Sequence, residues 1–272
     1  MSDLRLRPRS VTEIVDAAFQ LYKRDALEYL LVTAVAYAPW VVAQLIVMRG
    51  LNLLDPTRGL ASATWILGAL GIFAYALMSA VLSRYSSDIY LDHPIGLGAA
   101  IRAVLPMVPR VIGATILFGL VLMLGLVPVL LGLALSNFGL IGVGVPLSIV
   151  WGVYALARFF AVFQIIVLEN SGVIAAFARS GGLSRNRKGH ILLTLLLVFL
   201  IFTVLSVAVT IVAQIVGTAA VTVVMQVLYT VIAYPLIGIT QMILYYDARI
   251  RAEGFDVELM AGALDAPATT AS

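Results

Sequence analysis

Apolar residues in this chain run together in long blocks, and short polar segments separate the blocks. A helix needs about 20 apolar residues to cross the hydrocarbon core of a bilayer. Six segments meet that requirement. The first two are Tyr29–Met48 and Leu60–Ser83. The charge-free stretch Val111–Ala157 is too long for one crossing and divides at Ser136-Asn137, its second part running past Arg158 to about Leu168. The charge-free stretch Ile191–Tyr246 divides near Gly217-Thr218. The expected fold is therefore all-α: a polytopic membrane bundle of about six transmembrane helices arranged as three hairpins. A membrane β-barrel would alternate apolar and polar residues, and these runs are continuous. The first apolar block starts only near Tyr29, after a charged segment, and reaches Met48, so it is expected to be a retained span and not a cleaved leader.

The polar segments share a pattern of a turn signal, a short amphipathic helix and then a hairpin. In the first, Pro8-Arg9-Ser10-Val11 leads into Ile14, Val15, Ala18, Phe19 and Tyr22 at helical spacing, with Glu13, Asp16, Lys23 and Arg24 around them. In the second, His93-Pro94-Ile95 leads through Arg102 to Pro106; in the third, Asn170-Ser171-Gly172-Val173 leads to Ala176, Phe177 and Arg179. Aligning Leu91-Asp92-His93 with Leu168-Glu169-Asn170 sets Arg102 opposite Arg179. A single membrane domain over 1–260 is expected, with repeats 8–90, 91–168 and 169–255 and a disordered tail at 261–272. Basic amphipathic elbows of this kind can lie in the interface, apolar residues in the acyl boundary and Lys or Arg at anionic headgroups. The alternative is that they are loops that happen to be helical.

Charge placement orients the bundle. Arg5, Arg7, Arg9, Lys23, Arg24, Arg84, Arg102, Arg110, Arg179, Arg185, Arg187, Lys188, Arg249 and Arg251 fall on one side, and only Arg49 and Arg58 on the other. The basic side is expected to be cytoplasmic. Six spans then place both termini in the cytoplasm of a plasma (inner) membrane protein. The composition agrees: 62% of residues are hydrophobic, only 11% charged, and the mean hydropathy is +1.07. The net charge of +3 comes from these loops and implies no nucleic-acid partner. The expected partners are the lipid bilayer, anionic headgroups at the elbows and a membrane-protein partner.

Arg7-Pro8-Arg9-Ser10-Val11, followed by Glu13-Ile14-Val15-Asp16-Ala17-Ala18-Phe19 and Leu21-Tyr22-Lys23-Arg24, resembles the start of the membrane-domain family named after glycerophosphoryl diester phosphodiesterase. Ser87-Asp88-Ile89-Tyr90-Leu91 is similar to its middle. Leu244-Tyr245-Tyr246-Asp247-Ala248-Arg249-Ile250-Arg251 with Glu253-Gly254-Phe255-Asp256 is similar to its close. The resemblance implies a membrane domain, not the activity in the family's name. That activity belongs to a separate catalytic barrel of some 250 residues, for which this chain has no room.

Candidate chemistry is thin. There is no cysteine, and the only histidines are His93 and His190. No Ser-His-Asp arrangement, paired catalytic carboxylates or metal-ligand spacing is visible, so no cofactor and no enzymatic role is expected. Gly139-Gly142-Gly144 reads as a tight outer turn, because no lysine follows it as a phosphate loop requires. Arg158 is the most informative residue. With a bilayer edge at Glu169 it would lie about 16 Å deep, where it either marks a functional site or snorkels to the headgroups. Arg84 with Asp88, and Asp247 with Arg251, are i,i+4 pairs near the inner ends of other spans. Together Arg84, Asp88, Arg158, Asp247 and Arg251 form a candidate polar network in which Asp88 or Asp247 is expected to pair with Arg158. Gln44, Gln164, Gln214, Gln226 and Gln241 are expected to bond between helices, for about 0.6 kcal/mol each. Pro128, Pro146 and Pro235 are expected to interrupt spans three, four and six. The leading expectation is a non-enzymatic scaffold or accessory module. The alternative is a transporter or channel with a site near Arg158.

Overall fold

The computed structural model describes residues 7–51, 56–92, 95–217 and 219–254, and no strand occurs among them. The His93-Pro94 turn signal, Thr218, Phe255-Asp256 and the tail 261–272 lie outside the described residues, as do the side chains of Arg49 and Arg58. The helices are α1 (Val11–Arg24), α2 (Ala26–Leu51), α3 (Pro56–Tyr90), α4 (Leu97–Val104), α5 (Val108–Ala134), α6 (Phe138–Arg158), α7 (Val162–Leu168), α8 (Val173–Leu183), α9 (Lys188–Val216) and α10 (Ala219–Glu253). A 3-10 turn at Leu105–Met107 links α4 to α5.

Five helical stretches among the described residues are long and apolar enough to cross a membrane: Ala26–Ile46, Leu97–Ala134, Phe138–Leu168, Lys188–Val216 and Val224–Glu253. The expected span Leu60–Ser83 falls within α3, where side chains up to 67 lie outside the described residues. Large apolar side chains such as Leu124, Leu133, Phe199 and Ile211 point outward along these helices. Such a surface suits a membrane-embedded protein, because lipid tails solvate it where water would not.

Local sequence explains the ends. Ser10 caps α1 by accepting the Glu13 N–H at 3.3 Å, and Glu13 accepts the Ser10 N–H at 2.8 Å, a reciprocal capping box. The chain reverses between α5 and α6 through Ser136, which has a positive φ of 51°, and Asn137, whose side chain caps Leu140 N–H at 3.1 Å. Gly217 ends α9 at φ 74°, a left-handed C-cap that favours glycine.

The core gathers at the end of the bundle where α3, α7 and α10 meet. Met78, Leu82, Ile165, Ile166, Met242 and Ile243 are fully buried there. Elsewhere α5 and α6 are held by close backbone approach. A Cβ on Gly144 would come within 2.9 Å of the Val129 nitrogen. Ser148 Oγ donates to the Gly125 carbonyl at 2.6 Å and Trp151 Nε1 to the Val121 carbonyl at 2.7 Å. Small residues and interhelical hydrogen bonds are the glue available where apolar burial gives no driving force.

Four expectations are corrected. Pro128, Pro146 and Pro235 do not interrupt their spans; each lies inside a continuous helix, since neighbouring helices and local adjustments tolerate the lost hydrogen bond. Gly139, Gly142 and Gly144 are not the outer turn; they lie within α6, the turn preceding them at Leu135–Asn137. The fourth span is not one helix to Leu168; it breaks at Phe159–Ala161, between α6 and α7. The apolar stripe of α1 does not face the acyl boundary: Ile14, Val15, Ala18 and Leu21 are buried, and the helix packs against α9 and α10.

Candidate functional site

Three polar clusters occupy the end of the bundle where the segment before α1 meets the last turns of α10. The first centres on Asp247, which is 2% exposed. Its Oδ1 accepts the Arg9 backbone N–H at 2.7 Å, and its Oδ2 accepts Arg251 Nε at 2.8 Å. Arg251 Nη2 donates in turn to the Arg9 carbonyl at 2.7 Å. One i,i+4 pair thus grips both sides of the Arg9 residue. Arg187 donates to the Arg251 carbonyl, tying the start of α9 to the same point. His190 Nε2 lies 3.3 Å from Asp247 Oδ2 but is not aligned for a hydrogen bond.

The second cluster sits on α3. Arg84 Nε donates to Asp88 Oδ2 at 2.8 Å. Ser87 and Tyr246 hydroxyls lie 2.6 Å apart, and Tyr90 stacks on Tyr246 with ring centroids 5.6 Å apart. Tyr85 donates to Glu28 of α2. The third cluster locks α8 to α10. Arg179 donates to Glu169 and forms a two-bond fork to Glu253, at 2.8 and 3.1 Å. Tyr245 Oη donates to Glu169 at 2.7 Å, and Arg249 Nε to Glu253 at 3.2 Å. Burial works against the charge of Arg179, but the two carboxylates outweigh it and raise its pKa, holding it protonated.

The expected network is therefore only partly assembled. Arg84–Asp88 and Asp247–Arg251 form as expected pairs, with the Ser87–Tyr246 bond between them in the fold. Arg158 joins neither. Among the described residues no carboxylate lies within 4.0 Å of it. The reason is the break after α6. Arg158 is the last residue of that helix, where a cation complements the free carbonyls of the terminus. Ser180 Oγ donates to the Arg158 carbonyl at 3.0 Å and accepts the Ala161 N–H at 3.2 Å, so α8 splints the break. The guanidinium lies 5.6 Å from the Phe159 ring centroid and 3.4 Å from the Tyr154 hydroxyl. It packs flat on Gly181, where a Cβ would approach its Cζ to 3.2 Å.

Beside this break lies a cavity of about 640 Å³. Phe118, Leu156, Phe159, Phe163, Leu195 and Phe199 line it, and Tyr75 and Gln241 give it a polar patch. The other expected amides do not continue that patch. Gln164 is fully buried, with its Nε2 3.5 Å from Ser83 Oγ; Gln214 and Gln226 are exposed.

Sequence reasoning missed the Glu169–Arg179–Glu253 bridge and the hold on Arg9. The i,i+4 spacing of Arg249 and Glu253 was a visible signal for one end of that bridge. No family model matches the chain, and no curated protein or solved structure is similar to it.

Proposed function

We propose that the chain is a non-catalytic, multi-pass membrane module that scaffolds or assists a partner at the cytoplasmic face. In this reading it has six spans in three hairpins, each preceded by an elbow helix (α1, α4 and α8), with both termini cytoplasmic. The likeness of its terminal motifs to the membrane domain associated with glycerophosphoryl diester phosphodiesterase belongs to the same proposal. The observation that carries it is a pair of clamps: Asp247 and Arg251 hold the backbone of Arg9, and Arg179 ties Glu169 to Glu253. Polar groups used this way stiffen a surface and leave its elbows rigidly presented. Ile174 on α8, 73% exposed, is an apolar contact on that surface.

A photo-crosslinking residue at Ile174 tests it in cells. The expected product is a discrete protein adduct that disappears when the neighbouring exposed Ala175 is changed to Asp. Adducts with lipid alone would contradict the scaffold reading. The second reading, a carrier of small or amphipathic solutes, is favoured by the broken helix at Arg158, since discontinuous helices build binding sites in transporters.

A further inference from the structure

The α6–α9 cavity has a shape and a charge that point to one kind of occupant. Its volume of about 640 Å³ falls within the range of about 300–1,000 Å³ usual for ligand pockets. Leu156, Leu196 and Phe199 line it and are exposed. The cavity therefore opens sideways between α6 and α9, toward the lipid that solvates those helices. An opening of that kind admits an acyl chain and excludes a hydrated solute.

Two cations flank Tyr154, beside the lining residues Val153 and Leu156. Arg158 reaches the Tyr154 hydroxyl from one side, and Lys188 Nζ lies 5.5 Å from the Tyr154 ring centroid. Phe159, under the Arg158 guanidinium, is itself part of the cavity wall. Arg84, Arg179, Arg249 and Arg251 at the same end of the bundle each hold a carboxylate. Among the described residues neither Arg158 nor Lys188 has one within 4.0 Å. Gly181 leaves room for the guanidinium, since a Cβ there would approach its Cζ to 3.2 Å. An arginine beside a lysine offers a planar fork and a point charge, which suits a phosphate.

We infer that this cavity is a binding site for an anionic phospholipid. One acyl chain lies between α6 and α9, and the phosphate sits between Arg158 and Lys188 above Tyr154. The lipid supplies the negative charge that the protein withholds there. The inference is independent of the scaffold reading, which concerns the opposite use of polar groups at α8 and α10.

The test uses the full chain purified in mild detergent. Lipid retention is read by native mass spectrometry and thermal stabilisation by a melting curve. The probes are phosphatidylglycerol, phosphatidylcholine with the same acyl chains, and inorganic phosphate. Phosphatidylglycerol is expected to bind and to raise the melting temperature, phosphatidylcholine to bind about tenfold or more weakly, and phosphate alone to do neither. Arg158→Gln with Lys188→Gln should remove the preference for phosphatidylglycerol, and Arg102→Gln on α4 should not. Leu195→Trp fills the cavity while keeping both cations, and should lower retention of both lipids. It serves as the independent test where the double variant fails to fold. Equal retention of the two lipids by the unaltered chain, or undiminished retention in the Leu195→Trp chain, would overturn the inference. Stabilisation by phosphate alone would overturn the acyl-chain part of it. Loss of lipid with the Ile174 adduct intact would separate this site from the partner surface.

Discussion

The backbone N–H of Arg9 donates to Oδ1 of Asp247 at 2.7 Å, across 238 positions of sequence. The contact joins the segment before α1 to the last turns of α10. It places a nearly fully buried carboxylate where it satisfies a main-chain donor and an arginine together.

Asp247→Ala should lower stability by about 2 kcal/mol, because it strands a half-buried backbone donor and a partly exposed guanidinium. Asp247→Asn retains an acceptor and should lose less. The combined change with Arg251→Ala should fall short of the sum of the single changes. Thermal unfolding in detergent reads all three. An Asp247→Ala chain as stable as the original would mean that the clamp contributes nothing.

The capping box of α1 gives a pH dependence. Hydrogen bonds from the Ser10 backbone and side chain, with Arg7 beside them, hold the Glu13 carboxyl down to about 2. A depressed carboxyl stabilises the folded state above its ordinary pKa and loses that contribution as pH falls through the folded value. The protection of the α1 amides, with the pH dependence of intrinsic exchange divided out, should therefore fall between about pH 4.5 and 2, and less so in a Glu13→Gln chain. Ser10→Ala should cost about 1 kcal/mol at neutral pH. Protection that is flat across that acid range would rule out the reciprocal cap.

Arg179 tests whether fork geometry matters. Its guanidinium spans Glu169 and both oxygens of Glu253, which a lysine ammonium cannot do. Arg179→Lys should loosen α8 from α10 and lower stability by about 1–2 kcal/mol. Equal melting curves for the two chains would reduce the bridge to a charge interaction.

The long helices were legible because their signal is composition over about 20 residues, which tertiary context rarely overrides. The reversals at Ser136-Asn137 and Gly217 were legible for the same reason: polar and glycine residues interrupt an otherwise unbroken run. The break after Arg158 was not. Phe159-Phe160-Ala161 has no turn chemistry, and the break persists because Ser180 on α8 satisfies the exposed backbone groups. The prolines misled in the opposite sense. The site was half legible. The pairs at i,i+4 show in one helix's sequence, whereas the Arg9 and Glu169 contacts depend on how distant segments pack.

The α5–α6 hairpin supplies a paired test of close packing. A side chain at Gly144 would press on the Val129 backbone, whereas Gly142 has open space around its Cβ position. Gly144→Leu should cost about 1–3 kcal/mol or more through overpacking, and Gly142→Leu should be nearly neutral. Similar losses at both positions would mean that the hairpin packs on a different face.

Cysteine labelling tests most directly the proposal that the clamped, ionic end of the bundle faces the cytoplasm. The chain has no cysteine of its own, so Phe138→Cys at the start of α6 and Arg185→Cys between α8 and α9 each present a single thiol. In intact cells an impermeant thiol reagent should label Phe138→Cys, and should reach Arg185→Cys only after the membrane is opened. Labelling of Arg185→Cys in intact cells, with Phe138→Cys protected, would contradict the orientation and the cytoplasmic role built on it.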